Sequence, residues 1–366
     1  MTITHRNQSE TGIQRDAWVE INLAALERNF KKLKELTNTP IMAIVKADAY
    51  GHGATTIAPI LQSMKADSFG VATVDEGISL RSAGITLPIL ILGSTPNWSY
   101  KACITNDLTI TIHSQEQINQ LLDFCSSLAL RAKIQIKLDT GMNRLGIRPD
   151  ELDRTINIVL SSDTLELTGI YSHLSDSKDY NFSLKQKEKF DNAIKKYKDL
   201  KVQFHIANSY AAINYPEFRY SVIRIGIALY GQEFNFLEPV ISMKGRVTQV
   251  HEVLEGEPVS YDRTWTAKKN TLIATVPIGY ADGVDRNLSN KINALYKNKL
   301  IKQVGTITMD QMMFDIAGAE DLKVGDSITL TNKDLPISNW ANILNTITFE
   351  LVCRLKMRLP RIYTRD

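Results

Sequence analysis

The chain has 366 residues, 43% of them hydrophobic and 23% charged, with a formal net charge of +3. That length suits one large barrel plus a smaller domain, or two ordinary domains, and the composition is that of a soluble globular protein. The small net charge gives no support for a nucleic-acid or anionic-membrane partner, which would need a clustered basic face.

The opening stretch "MTITHRNQSETGIQRD" is polar and lacks the apolar core of a signal peptide. No apolar run approaches the roughly 20 residues needed to span a bilayer. The three cysteines, Cys103, Cys125 and Cys353, are far apart, which excludes a paired zinc motif and a disulfide framework. The histidines are scattered without an HxxxH or HxH pair, so no metal is expected, and a reduced, cytoplasmic protein is.

After a polar tail over residues 1–15, "AWVEIN" alternates like a short strand, and Asn22 is set to cap a helix with apolar positions Leu23, Leu26, Phe30, Leu33 and Leu36. Short β-branched runs then recur at 41–47, 68–74, 88–93, 108–113, 132–139, 165–173, 202–208 and 222–231. Most are separated by helical segments such as 114–128 and 182–200, although the one before "VIRIGIALYG" is short. Alternating strands and helices imply a parallel sheet, and eight such units imply a (β/α)8 TIM-like barrel over residues 16–237. From 238 to 366 the strands are separated by turns instead, which reads as a C-terminal mainly-β domain, with the strand at 18–21 a candidate to pack with it.

In a barrel the βα loops at the C-terminal strand ends build the pocket. This chain puts Lys46 and Tyr50 after the first barrel strand, in the small polar, glycine-bearing loop of "VKADAYGHG". The fifth strand carries Lys137 and Asp139 and runs into "TGMNRLG", with Arg144. His173 ends the sixth, Asn208 and Ser209 end the seventh, and Arg224 lies in the eighth, just before Gly226 and Ile227. A strand-end lysine is commonly a snorkelling cap, and Arg224, between two isoleucines, must find partners, an acid among the candidates. Together the set suits a phosphorylated aldehyde cofactor. A neutral amine can attack the carbonyl, Ser209, Tyr50 and the amides near Gly226 and Ile227 can hold the phosphate, and Arg224 can face a ring nitrogen.

The motifs "VKADAYGHG", "KLDTGMNRLG", "GIYSHL", "ANS", "RIGIALYG", "VSYDRT", "VPIGYADG" and "TMDQ" follow one another over residues 16–362. In this order they resemble the alanine racemases, fold-type III enzymes dependent on pyridoxal 5′-phosphate. The resemblance implies racemisation of alanine by two bases, Lys46 as the Schiff-base lysine and D-side base, and Tyr261 as the L-side base reaching the cofactor of the other subunit of a homodimer. It implies phosphate contacts from Tyr50, Ser209, Gly226 and Ile227, with Asn208 alongside, and His173 beside the ring, where Arg224 keeps the nitrogen unprotonated. Arg144 is implied near the cofactor's phenolic oxygen and the substrate carboxylate, which Met309 and Asp310 also meet. Lys137 corresponds to a lysine that is often carbamylated, and Tyr280 and Arg286 to gate positions. A tyrosine titrates near 10, so Tyr261 needs cationic help, for which His173 is the expected source. The implied role is D-alanine supply for peptidoglycan.

Two departures stand out. Met357, in "KMRLPR", occupies a position where the family commonly has tyrosine, and "LSDSKD" after His173 leaves the remaining gate residue open between Lys178 and Asp179. A serine or broad-specificity racemase on the same scaffold is the nearest rival. A non-catalytic carrier of the cofactor would lack the appended domain with Tyr261.

Overall fold

The structure is a computed structural model that describes residues 14–365; most of the expected polar tail, residues 1–13, lies outside them. The chain divides into two compact units, one made of Asn29–Ala49 and Gly53–Leu229, the other of the residues up to Arg28, Tyr50–His52 and the chain from Tyr230 onward.

The first unit is the barrel. Its strands are β2 (Ile41–Ile44), β3 (Ser68–Val71), β4 (Ile89–Ile91), β5 (Leu108–Ile112), β6 (Ala132–Lys137), β7 (Leu165–Tyr171), β8 (Gln203–His205) and β9 (Ile223–Ile225), all parallel, in the order β8-β7-β6-β5-β4-β3-β2-β9. Each is shorter than its apolar run, because the residues beyond the ladder turn into the βα loops. The strands are buried almost throughout, as a parallel sheet covered on both faces requires. The seam between β8 and β9 is bridged by two bonds, Ser221 N to Phe204 O at 3.1 Å and Arg224 N to Ala207 O at 3.1 Å. Side-chain caps start several of the intervening helices: Ser114 accepts from Gln117 N (3.1 Å) before Gln115–Leu128, and Asp179 accepts from Phe182 N (3.0 Å) before Tyr180–Ile194. Of the two gate candidates, Asp179 is therefore engaged as a cap, while Lys178 is exposed.

The second unit is mainly β. The N-terminal strand β1 (Ala17–Asn22) lies between β10 (Ile241–Arg246) and β19 (Arg361–Thr364), antiparallel to the first and parallel to the second. With β11 (Gln249–Val253), β14 (Thr271–Val276), β15 (Asn293–Tyr296), β16 (Lys299–Val304), β17 (Met312–Asp315) and β18 (Ser327–Thr331) these form one nine-stranded sheet, and β12 (Pro258–Val259) pairs with β13 (Trp265–Thr266) as a separate ribbon. Lys244 of β10 meets Glu20 of β1 at 2.7 Å across the strands. Among the described residues no helix is long and apolar enough to cross a membrane.

One glycine shapes the loop that carries Arg144. Gly146 sits at φ +139°, and a Cβ there would lie 2.6 Å from Asp139 N and 2.8 Å from Leu138 C. The loop folds back so that Ile147 N reaches Lys137 O at 2.9 Å, which leaves no room for a side chain. Gly146→Ala is expected to lower the unfolding free energy by about 2 kcal/mol or more. Urea denaturation reads this directly, and an unchanged midpoint would contradict it.

Candidate active site

The residues after β2 do not form the irregular loop expected from their composition. Lys46–Gly51 is a helical turn, and Ala47, Asp48, Ala49 and Tyr50 all have φ between 52° and 54°, with Gly51 at 78°. It is left-handed, at a cost of about 1–2 kcal/mol per non-glycine residue from Cβ crowding. Ala47, Asp48, Ala49 and Tyr50 all carry a Cβ and bear that cost, so the surroundings must hold the turn. Ala49 N donates to Val45 O (2.8 Å) and Gly53 N to Asp48 O (2.9 Å). Ala47 N donates to Glu76 Oε1 (2.8 Å) and Ala54 N to Asp48 Oδ1 (2.7 Å). Glu76 also accepts from Ala72 N at 2.6 Å and completes a capping box with Thr73, so one carboxylate joins the turns after β2 and β3. Lys46, partly buried, is the first residue of this turn.

Tyr50 belongs to the other unit, where its ring packs on Tyr230 (centroids 5.3 Å apart) and edge-on to Phe349 (6.4 Å). Burial pushes its phenol well above the ordinary value, with the Cys353 thiol adding to the rise. The phenol therefore stays protonated as a donor, and its hydroxyl makes no hydrogen bond to any described residue.

Inside the barrel the centre is Arg224, which is 4% exposed. The expected acid partner is not there: its guanidinium forms no ion pair among the described residues. Nη1 donates to His205 Nδ1, and Nη2 donates to Ser172 O (2.7 Å), Ile206 O (3.0 Å) and His173 Nδ1 (3.1 Å). An imidazole nitrogen that accepts cannot carry a proton, so both histidines are neutral with the proton on Nε2. His205 passes its own Nε2–H to Gln135 Oε1 at 2.8 Å. Burial first, and then Arg224, holds both imidazoles well below 6.5; Lys137, Arg144 and Lys46 add to the effect at His173. His173 is therefore not the cationic helper that the sequence suggested, because it is surrounded by cations and cannot charge. The Arg224 guanidinium is itself lowered to about 10, by burial. It keeps its Nε–H and one Nη1–H without a partner among the described residues.

Tyr171 forms the floor of this group. It stacks on His205 (4.8 Å, 9°), and its ring face receives Arg224 at 5.3 Å and Lys137 at 5.7 Å. Thr111 Oγ1 donates to Ile91 O (2.6 Å), so the Tyr171 hydroxyl donates to Thr111 (2.8 Å). Tyr171, His205 and Gln135 are absent from the sequence reading. The alternation along "LELTGIYSH" and "VQFHIAN", which turns Tyr171 and His205 towards the barrel axis, is the signal that could have found them. Ser209 and Gly226 come together as expected, with Gly226 N donating to Ser209 Oγ at 3.0 Å and Ile227 next in the chain. Asn208 caps the short helix Ser209–Asn214 through Ala211 N (3.1 Å) and donates to Ser177 Oγ (3.1 Å). Arg144 is exposed, in a cleft of about 670 Å³ whose other lining residues include Asp139, Arg148 and Lys189.

In the second unit Tyr261 is 68% exposed, on a turn where Ser260, Asp262 and Arg263 have positive φ (67°, 59° and 50°). Thr306 Oγ1 donates to Tyr261 O (2.9 Å), Ser260 Oγ donates to Thr306 O (2.6 Å), and Arg286 pairs with Asp262 at 2.8 Å. Tyr280 and Met309 lie on bonded turns: Tyr280 N donates to Thr308 O and Ala281 N to Met309 O, both at 3.0 Å. Gly279 is required there, since a Cβ would come within 2.2 Å of Thr308 O. Asp310 pairs with Arg358 at 2.6 Å.

Lys137, 4% exposed, is depressed from 10.5 to about 8 by burial and then by Arg144 and Arg224, with Asp139 opposing. Unfolded chains bind the proton between those two values and the folded protein does not, so stability rises with pH across that window. Below it, the charged folded amine costs on the order of 3 kcal/mol. In carbon dioxide-free buffer, the stability of Lys137→Met relative to wild type is expected to be highest near pH 7 and to fall as pH rises from 8 to 10.5. Thermal denaturation across that range measures it; a pH-independent difference would contradict the depressed amine.

Residues 21–233 match the family described as alanine racemase, N-terminal domain, and residues 240–363 the alanine racemase, C-terminal domain. The chain is 40% identical to the alanine racemase of Nostoc sp. over 94% of its length and 95% of that protein's, and 38% identical to that of Synechocystis sp. over 96% and 99%. The solved alanine racemase of Clostridium difficile 630 superposes with a TM-score of 0.91 at 33% identity, covering 97% of both chains. A barrel with these strand-end residues, a mainly-β second unit and full-length similarity at this level lead to one conclusion: the chain belongs to the alanine racemase family, a family of isomerases.

Proposed function

We propose that this protein interconverts L- and D-alanine with pyridoxal 5′-phosphate as its cofactor. The observation that carries the reading is the buried Arg224 guanidinium with two neutral histidines, spare N–H donors and no carboxylate partner. A ring nitrogen facing it meets a donor and so keeps its lone pair unprotonated. The rest of the set fits an anionic, carbonyl-bearing group as well. Lys46, Lys137, Arg144 and Arg224 all act on His173 as positive charges, and Tyr50 offers an unpartnered, protonated hydroxyl to a phosphate.

When bound, the cofactor supplies a carbonyl that joins an amine and a ring that draws electron density from the substrate Cα, making its proton acidic. The chain's residues do the rest. Lys46 Nζ is the attachment point and moves the proton on the D side, and Tyr261 Oη moves it on the L side. Ser209, Gly226, Ile227 and Tyr50 hold the phosphate, with Asn208 fixing the start of the Ser209 helix. His173 orients Arg224 from its neutral Nδ1. Arg144, the Met309 amide and Asp310 receive the substrate carboxylate, and a carbamylated Lys137 would neutralise and orient Arg144. By leaving the ring nitrogen unprotonated, Arg224 would favour return of the proton over loss of other groups from Cα, which suits racemisation.

Tyr261, exposed on a turn fixed only through its backbone and neighbours, suits a role across a subunit boundary. We therefore read the active form as a homodimer with shared sites, in which Tyr280 and Arg286 line the substrate gate. The product D-alanine would feed peptidoglycan synthesis in the cytoplasm.

Lys46→Ala is expected to abolish measurable racemisation of alanine. Tyr261→Phe is expected to slow it by about 10²–10⁴-fold while the protein still exchanges the Cα proton of D-alanine with deuterium oxide. Chiral chromatography and proton NMR read the two effects, with serine and lysine as comparison substrates. Normal racemisation by Lys46→Ala would overturn the proposal, and faster turnover of serine than alanine would favour the rival specificity.

A further inference from the structure

We propose that Arg361 is a positioning residue for Tyr50: its guanidinium fixes the far end of the left-handed turn that carries this phenol, the one that the proposed function gives to the cofactor's phosphate. The inference deepens the proposed function and rests on it for the identity of the phosphate.

The turn Lys46–Gly51 sits in a backbone region that L-residues avoid and persists only where its surroundings over-determine it. Its start is held by Val45 O and Glu76, but after Ala49 the restraints come from the second unit's own residues. Arg361 Nε donates to Gly51 O at 3.1 Å. The two terminal amino groups of Arg361 donate to Lys356 O (2.7 Å), Leu359 O (2.7 Å) and Leu355 O (2.9 Å). One planar fork thus ties the carbonyl that follows Tyr50 to the 355–359 segment that leads into β19, a geometry that an ammonium group cannot reproduce. A Cβ on Gly51 would lie 2.5 Å from Val352 O, so the backbone is seated against the helix Thr348–Arg354 that also carries Phe349, the edge-on partner of Tyr50. Two residues further along β19, the Tyr363 hydroxyl donates to His52 O at 3.2 Å. The carbonyls flanking the end of the turn are therefore both bound from one strand, and the Tyr50 ring is clamped between Tyr230 and Phe349. The backbone after Tyr50 is bonded and its ring is packed, while its hydroxyl makes no hydrogen bond to any described residue, the arrangement expected of a donor kept ready for a ligand.

The test uses the full chain with two variants, Arg361→Lys and Tyr363→Phe. Hydrogen exchange of residues 47–53, followed by mass spectrometry, reports the turn without reference to the cofactor. Titration of the apoprotein with pyridoxal 5′-phosphate, followed by absorbance, reports the phosphate site. Arg361→Lys is expected to speed exchange in 47–53 while barrel strands exchange as in wild type, and to raise the cofactor Kd by about tenfold or more. Tyr363→Phe, which removes one neutral bond, is expected to shift both in the same direction by a smaller factor. If Arg361→Lys fails to fold, Tyr363→Phe decides by the same two readouts. Unchanged exchange in 47–53 overturns the inference, and so does faster exchange with a Kd within twofold of wild type. Faster exchange in a chain whose wild type does not bind pyridoxal 5′-phosphate leaves Arg361 as the fixing group and rejects the cofactor reading instead.

Discussion

A buried guanidinium without a carboxylate is the constraint on which the barrel's interior depends. Removing a charge from water is costly, and an acid is the usual compensation. Arg224 instead spreads its charge over two imidazole nitrogens, two carbonyls and the face of Tyr171. Each partner belongs to β7, β8 or the segment just after one of them, beside the seam where β9 meets β8. The same interaction thus ties β9 to the ends of β7 and β8, makes two histidines neutral and leaves the strand ends electropositive. Burial first, and then the charges of Arg144 and Arg224, lower the affinity of Lys137 for its proton. An anionic ligand would be welcome there for the same reason that a second proton is not.

Backbone strain gathers at the residues to which the chemistry is assigned. The turn after Lys46 is left-handed over four non-glycine residues. Tyr261 is flanked by positive-φ residues on both sides, and glycines at 146 and 279 admit close backbone approaches beside Arg144 and Met309. Such conformations survive where neighbouring contacts outweigh them. Here the contacts are specific: Glu76 and Arg361 on the first turn, Thr306 and Ser260 on the second. Rigid placement of a few side chains is what proton transfer between fixed positions needs.

Much of this was legible in the sequence, for physical reasons. Strand ends in a barrel converge, so Lys46, His173, Ser209 and Arg224 could be grouped before any coordinates, and the loss of alternating helices after residue 238 marked the second unit. What was illegible depended on pairing. Nothing in "VIRIG" says that Arg224 will bond to His205 rather than to an acid, and the neutral state of His173 follows only from that bond. The handedness of "KADAYG" was equally hidden, because alanine and aspartate read as helix or loop in the ordinary sense. Its left-handed form depends on Glu76, about thirty residues away, and on Arg361 near the other end of the chain. Short strands were overestimated for a simpler reason: apolar runs continue past the ladder into buried loop starts.

The most direct test of the account is the protonation of the two histidines that face Arg224. With ¹⁵N-labelled histidine, NMR across pH 5 to 8 should find His173 and His205 neutral throughout, each carrying its proton on Nε2, with no titration near the ordinary value of about 6.5. An imidazole at either position that titrates near that value, or that carries its proton on Nδ1, would contradict the Arg224-centred site.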